Sequence, residues 1–407
     1  MKSMLIKNYS RIFHDKKAYS QSWVAFFLAA SLLATPISST AKSIFILVSV
    51  GLIIVSPVYW RDLSTVLTRS WSIASLCLFF IVCVGFFWSP ASLHEKLISL
   101  EKYSKLLSLP ILVVGFQDEK TRRLGLHGFL LAMVVTCIAS AAISLGYYSS
   151  VNTESGGVFR NHIITGYMMA FAAYLSSLLF LKHQGKARIA YGLLTLLFSY
   201  HVLFVNNGRT GYVIYLLLMG LLIVQSFSWR QAVFAAFLSC FLLAITFYES
   251  PVMQDAFSRA ITEYKLYSKN EKDTSIGFRF QFHDYAHKLF QRHPFIGNGT
   301  ASFGYLYHQE NPIPSRGPYL LEPHSQYWLM ASELGAWGCI ALALFFGCLF
   351  YSCLRLKTYR SLAMAVLLPF LVGNLSDSLL FYSATGYFFI IFIALCLGEQ
   401  KIQASEV

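Results

Sequence analysis

The sequence predicts an all-α polytopic membrane protein of about 12 transmembrane helices, with one long helical loop between the ninth and the tenth. Three observations predict it. Apolar residues make up 56% of the 407 and charged residues only 13%, against roughly 25% charged in soluble domains. Long stretches without Asp, Glu, Lys or Arg recur along the chain, and crossing a roughly 30 Å hydrocarbon core takes about 20 such residues. The basic residues between those stretches are strongly biased to one side of the membrane, which sets orientation.

The stretches fall at 22–40, 43–59, 71–88, 103–116, 124–147, 163–181, 189–205, 211–227, 231–247, 326–354, 362–375 and 378–398. The fourth, uninterrupted only after Lys105, is the shortest, and the tenth contains Glu333. Residues 1–21 form a tail bearing Lys2, Lys7, Arg11, Lys16 and Lys17, which imitates a signal peptide. The apolar run continues through Ala41 and a second span follows at once, so an uncleaved first helix is expected. With this tail in the cytoplasm, 18 of the 32 Lys and Arg lie on the cytoplasmic side, six on the other, and eight in the 248–325 segment. That segment is long enough to be translocated whatever its charge. Both termini, the second being 399–407, are then cytoplasmic, and 1–407 forms one membrane domain.

The net charge of +13 reports orientation here, because no basic patch is interleaved with stacking aromatics as nucleic-acid binding requires. Cys77, Cys83, Cys137, Cys240, Cys339, Cys348 and Cys396 lie within apolar spans and Cys353 at the end of one. Neither a disulfide framework nor a cysteine zinc site is expected. The two halves show no internal repeat, which argues against a transporter built from repeats. In the long loop, 251–269 and 276–293 read as helices, the second with Phe278, Phe282, Tyr285 and Leu289 on one face to pack against the membrane domain. The Pro- and Gly-rich stretch 294–323 reads as irregular.

Three places at the outer boundary carry candidate chemistry. In Asn206-Asn207-Gly208-Arg209-Thr210-Gly211, one cation sits in a tight turn of small residues. It either reaches lipid phosphates or serves a ligand. In Gly277-Phe278-Arg279-Phe280, the Arg279 fork can meet a phosphate, or pair with Asp284 or Glu263. His283 and His287 follow four apart, in HDYAH and without a further metal ligand, so solvated or hydrogen-bonded imidazoles are expected. In Glu322-Pro323-His324-Ser325-Gln326, His324 suits proton transfer at neutral pH or caps a helix. Glu333 lies nine residues on and roughly on the opposite helical face, so it is not assumed to orient His324. Two outward arginines and one outward histidine fit the transfer of a glycan from a lipid diphosphate. Cations hold the leaving group and a base takes the acceptor proton.

The motifs NNGRTGYV, GFRFQFHDYAHKLFQRHPFIGNG and PHSQYWLMASELGAWG resemble the O-antigen ligase and polymerase family of bacterial envelope membrane proteins. They cover about 60 residues between Asn206 and Gly338. The resemblance implies a GT-C-like glycosyltransferase architecture in the inner membrane of a Gram-negative bacterium, with a periplasmic active site. It implies metal-independent, inverting transfer of O-antigen from undecaprenyl diphosphate to a sugar hydroxyl of lipid A-core, with no cofactor. Carried over by position, His324 is the general base, and Arg209 and Arg279 hold the diphosphate. Arg160, in Phe159-Arg160-Asn161-His162, is a weaker match that adds to the anionic site, and Glu333 matches a Glu that often follows the family histidine. An O-antigen polymerase or a protein O-oligosaccharyltransferase would use the same donor. A flippase for the lipid-linked glycan is the alternative from another class.

Overall fold

The computed structural model describes residues 2–145, 147 and 156–400, with side chains from residue 20 onward. The basic side chains of the 1–19 tail and the end of the chain, 401–407, lie outside the described residues. Helices α1 to α6 are Lys2–Ile37, Ser39–Val55, Trp60–Leu67, Ser70–Gly85, Leu93–Tyr103 and Lys105–Gly115. Helices α7 to α11 are Glu119–Ser144, His162–Lys182, Gly185–Tyr200, Arg209–Ser226 and Trp229–Glu249. Helices α12 to α17 are Pro251–Ser268, Ser275–Arg292, Ser302–Glu310, Gln326–Leu354, Arg360–Gly373 and Ser383–Leu397. No strand occurs among the described residues.

Each of the 12 expected stretches coincides with a helix, but they are not equal. Among the described residues seven helices are long and apolar enough to cross a membrane, or eight if α2 and α3, bent by 80° at a break, form one span. Helices α4, α16 and α17 are apolar but shorter. Helix α6 has only 11 residues, roughly 16 Å of rise, and does not reach across by itself. In the long loop, α12 and α13 follow the expected helices closely. Phe282, Tyr285 and Leu289 are buried in the packing of α13 on α15. The 294–323 stretch, expected to be irregular, contains α14.

Helix α17 is the centre of the bundle. Residues Phe388 to Leu397 are entirely buried, as befits a helix that is apolar all round. Phe388 and Phe392 meet Phe129 of α7 and Phe171 of α8 with ring centroids 4.8 to 5.8 Å apart. Helix α11 is the opposite case: none of its residues is buried, so its apolar surface is left to lipid.

Helix α15 is broken at Gly335, whose φ of 61° and ψ of −153° are open essentially to glycine alone. The break strands backbone groups that the 294–299 loop then satisfies. Asn298 N and Gly299 N donate to the carbonyls of Ser332 and Glu333, and Ala336 N and Trp337 N donate to those of Pro294 and Phe295. This accounts for HPFIGNG: a Cβ on Gly297 would stand 2.3 Å from the Glu333 carbonyl oxygen, and one on Gly335 2.6 Å from the Gly297 nitrogen.

Three of the long spans, α9 with its π-wound end, α10 and α11, separate 185 from 250. Arg160 and Arg209 are separated by two spans, Arg209 and the 250–325 segment by two more. All therefore share one face of the membrane, whatever the count of the shorter helices.

Candidate functional site

His324 lies between Pro323 and the Ser325 N-cap of α15 and has a φ of 53°, a left-handed conformation in which histidine is enriched among non-glycine residues. That bend turns the backbone N–H onto the Glu322 carboxylate at 2.7 Å. The imidazole is thereby held outside the helix. Its Nδ1 is 3.1 Å from Glu322 Oε1 and 3.5 Å from Asp377 Oδ1, with the side chain about one quarter exposed and that of Glu322 2% exposed. Two carboxylates facing Nδ1 favour the proton there and leave the Nε2 lone pair free. The Phe282 ring backs the imidazole at 5.6 Å, and His283 Nε2 reaches the His324 carbonyl at 3.3 Å.

Asp377 comes from the irregular 374–382 segment between α16 and α17. Buried non-helical backbone survives only where its polar groups are satisfied, and here the protein does so with two lysines. Lys105 Nζ donates to the carbonyls of Leu380, Phe381 and Tyr382 at 2.7, 3.3 and 3.0 Å. Lys42 Nζ donates to the carbonyl and hydroxyl oxygens of Ser383 at 3.1 and 2.9 Å. Both lysines are 0–1% exposed, and Gly386 leaves room for Lys105, since a Cβ there would meet its Nζ at 2.6 Å. Gln326 completes the fixing: its N–H donates to Asn374 O and its Oε1 accepts from Phe381 N. So held, Tyr382 donates its hydroxyl to Glu322 Oε1 at 2.6 Å.

Arg209 opens α10. Its Nη2 meets Glu263 Oε2 at 3.2 Å, and the same carboxylate oxygen accepts from Ile276 N at 3.0 Å, near the start of α13. Glu263 thus joins Arg209 to the helix that carries Arg279. On α13, Ser275, Arg279 and His283 share a face at four-residue spacing. Arg279 Nη1 donates to Ser275 Oγ at 3.2 Å, and its charge acts on both His283 and Tyr382. Burial chiefly, with the charges of His324 and Arg279, holds the His283 pKa below its ordinary value. One guanidinium nitrogen on each arginine, Arg209 Nη1 and Arg279 Nε, is buried without a hydrogen-bond partner. Such orphan donors are costly and call for an acceptor.

The remaining sequence candidates stand apart from His324. Arg160 is half-buried and tied to the α1–α2 turn, donating to Ser39 Oγ and, at 3.0 Å, to Thr35 O. Glu333 is buried with its Oε1 3.4 Å from Phe303 N, where it meets one of the N–H groups that the first turn of α14 leaves without a helical partner. His287 packs on Trp328 at 5.4 Å. Sequence reasoning passed over Glu322, Asp377, Tyr382 and Lys102. Lys102 Nζ lies 3.8 Å over the Phe381 ring, and burial lowers its pKa against the pull of Glu322. Only Glu322 carried a signal, two residues before the histidine. Glu322, His324 and Asp377 converge within 4.8 Å, a geometry that also suits a metal ion, yet both Glu322 oxygens already accept protein hydrogen bonds.

The fold and site define a multi-pass helical membrane protein with a histidine-carboxylate centre and two arginines gathered on one membrane face. Residues 193–343 match the family model described as O-antigen ligase. The matched span contains Arg209, Arg279, Glu322, His324 and Glu333, and leaves Lys102, Arg160, Asp377 and Tyr382 outside it. No curated protein matches the chain.

Proposed function

We propose that this protein is an O-antigen ligase of the Gram-negative inner membrane. It transfers O-antigen from undecaprenyl diphosphate to a sugar hydroxyl of lipid A-core on the periplasmic face, by metal-independent inverting transfer, with both termini cytoplasmic. The observation that carries this reading is His324, with carboxylates on Nδ1, on the membrane face that also bears two arginines with orphan donors. Nε2 of His324 takes the proton of the acceptor hydroxyl as its oxygen attacks the anomeric carbon. The bond from that carbon to the diphosphate breaks, and its electron pair leaves on a phosphate oxygen. Arg209 and Arg279 receive the developing charge with charge-assisted hydrogen bonds. Arg160 adds positive charge on the same membrane face.

Reconstitution with undecaprenyl-diphosphate-linked glycan and lipid A-core, with chelator and without nucleotide, tests the reading. Glycan joined to lipid A-core is expected from the wild type, while His324→Ala should lose about 10²- to 10⁴-fold in rate. A lengthened lipid-linked glycan would instead make the protein a polymerase, and no covalent product would point to transport. Loss of all product on chelation would overturn the metal-independent mechanism.

A further inference from the structure

A cavity of about 250 Å³ opens between the start of α7, the end of α8, the first turns of α9 and the α15–α16 turn. It lies at the other membrane boundary from His324. His324 precedes α15 and Thr358 follows it, and the 29 residues of that helix, broken at Gly335, rise at most roughly 43 Å. The lining is divided by depth. Leu126, Leu175, Leu178, Leu179 and Leu362 form an apolar wall, while Arg123, Lys182, His127 and His183 stand at the rim with one acid, Glu119.

That rim is built but not neutralised. Tyr191 joins its two imidazoles, with its hydroxyl 2.9 Å from His127 Nε2 and its ring 5.0 Å from that of His183. The 357–359 amides are fixed on the Glu399 carboxylate. Glu119 is engaged by Arg123 at 2.5 Å, a pair more than half exposed and therefore weak and able to re-form on a stronger anion. Lys182 reaches only the Thr358 carbonyl, at 3.5 Å, and has no ion pair among the described residues. Lys120, Lys186 and Arg188 extend the positive surface.

We infer that this cavity binds an anionic phospholipid, its phosphate among Arg123, Lys182 and the two histidines and the first part of one acyl chain against the leucines. A basic pocket between helices at a membrane boundary suits such a headgroup. Its volume is below the roughly 300–1,000 Å³ that encloses a whole small ligand, so the remaining lipid stays in the bilayer.

Delipidated wild-type protein titrated with phosphatidylglycerol or phosphatidylethanolamine, with bound lipid counted by native mass spectrometry, tests the assignment. Wild type is expected to retain phosphatidylglycerol about ten-fold more strongly. Arg123→Gln combined with Lys182→Gln should weaken that retention about ten- to thirty-fold and leave phosphatidylethanolamine unchanged. Equal retention of the two lipids by wild type, or undiminished phosphatidylglycerol on the double variant, would overturn the inference. So would displacement of the lipid by inorganic phosphate at the same concentration, which would mark a free-anion site.

Discussion

At the scale of single residues, the chemistry turns on which nitrogen of His324 is free. Glu322 acts on Nδ1 through one oxygen and on the backbone N–H through the other, so it sets both the tautomer and the left-handed bend. Glu322→Gln removes the charge and keeps the shape. It should lower kcat about 10²-fold or more with little change in KM for either substrate. Tyr382→Phe removes one donor to Glu322 and leaves the carboxyl group in place, so the rate loss should be smaller, about ten-fold. Steady-state assay of both in the reconstituted reaction decides; a Tyr382→Phe loss larger than that of Glu322→Gln would displace Glu322 from this role. The histidine was legible in the sequence because it sits two residues from the start of a span. Asp377 was not, since 53 residues and the whole of α15 and α16 separate it from its partner, and no local spacing encodes that meeting.

At the scale of elements, two glycines on one helix make opposite predictions. Gly335 holds a positive φ and lies backbone to backbone against 295–297, whereas Gly347 has nothing within 4 Å of where a Cβ would sit. Gly335→Ala should therefore destabilise the protein by about 1–3 kcal/mol from backbone strain alone, with the steric clash in addition. Gly347→Ala should be neutral or stabilising by up to about 1 kcal/mol, the helix-interior difference between the two residues. Thermal unfolding in detergent measures both, and equal midpoints would contradict the break at Gly335. Hydropathy located α15 well because its residues are apolar throughout, but it is blind to such a break, where only a backbone angle changes. The same blindness hid α14, whose Glu333 cap comes from another element. The buried Lys105 was read as one more outer basic residue, since nothing in its neighbourhood announces three carbonyls from 275 to 277 positions away.

At the scale of the whole molecule, topology assembles the site by parity. Two spans between Arg160 and Arg209, and two between Arg209 and the 250–325 segment, put the candidate residues on one face. Single cysteines in a background without the native eight should test this. Asn270→Cys is expected to react with an impermeant thiol reagent in cells with a permeable outer membrane. Lys186→Cys should react only after the inner membrane is opened. Labelling of both under the same condition would contradict the three spans between them. Composition and the spacing of the apolar stretches sufficed to find these spans, because lipid imposes them on the whole sequence at once.

The interlock of 294–299 with the broken helix also fixes what can be exchanged between related proteins. A chimera that takes the 250–325 segment from elsewhere would bring a hairpin of donors and acceptors cut to fit a particular break in α15. In this chain the segment also depends on Gly299, where a Cβ would stand 2.4 Å from the Cα of Ser89. The transferable unit is therefore discontinuous. A graft that carries the Ser89 turn and the first half of α15 together with the loop would keep its joints, and one cut at the membrane surface would not.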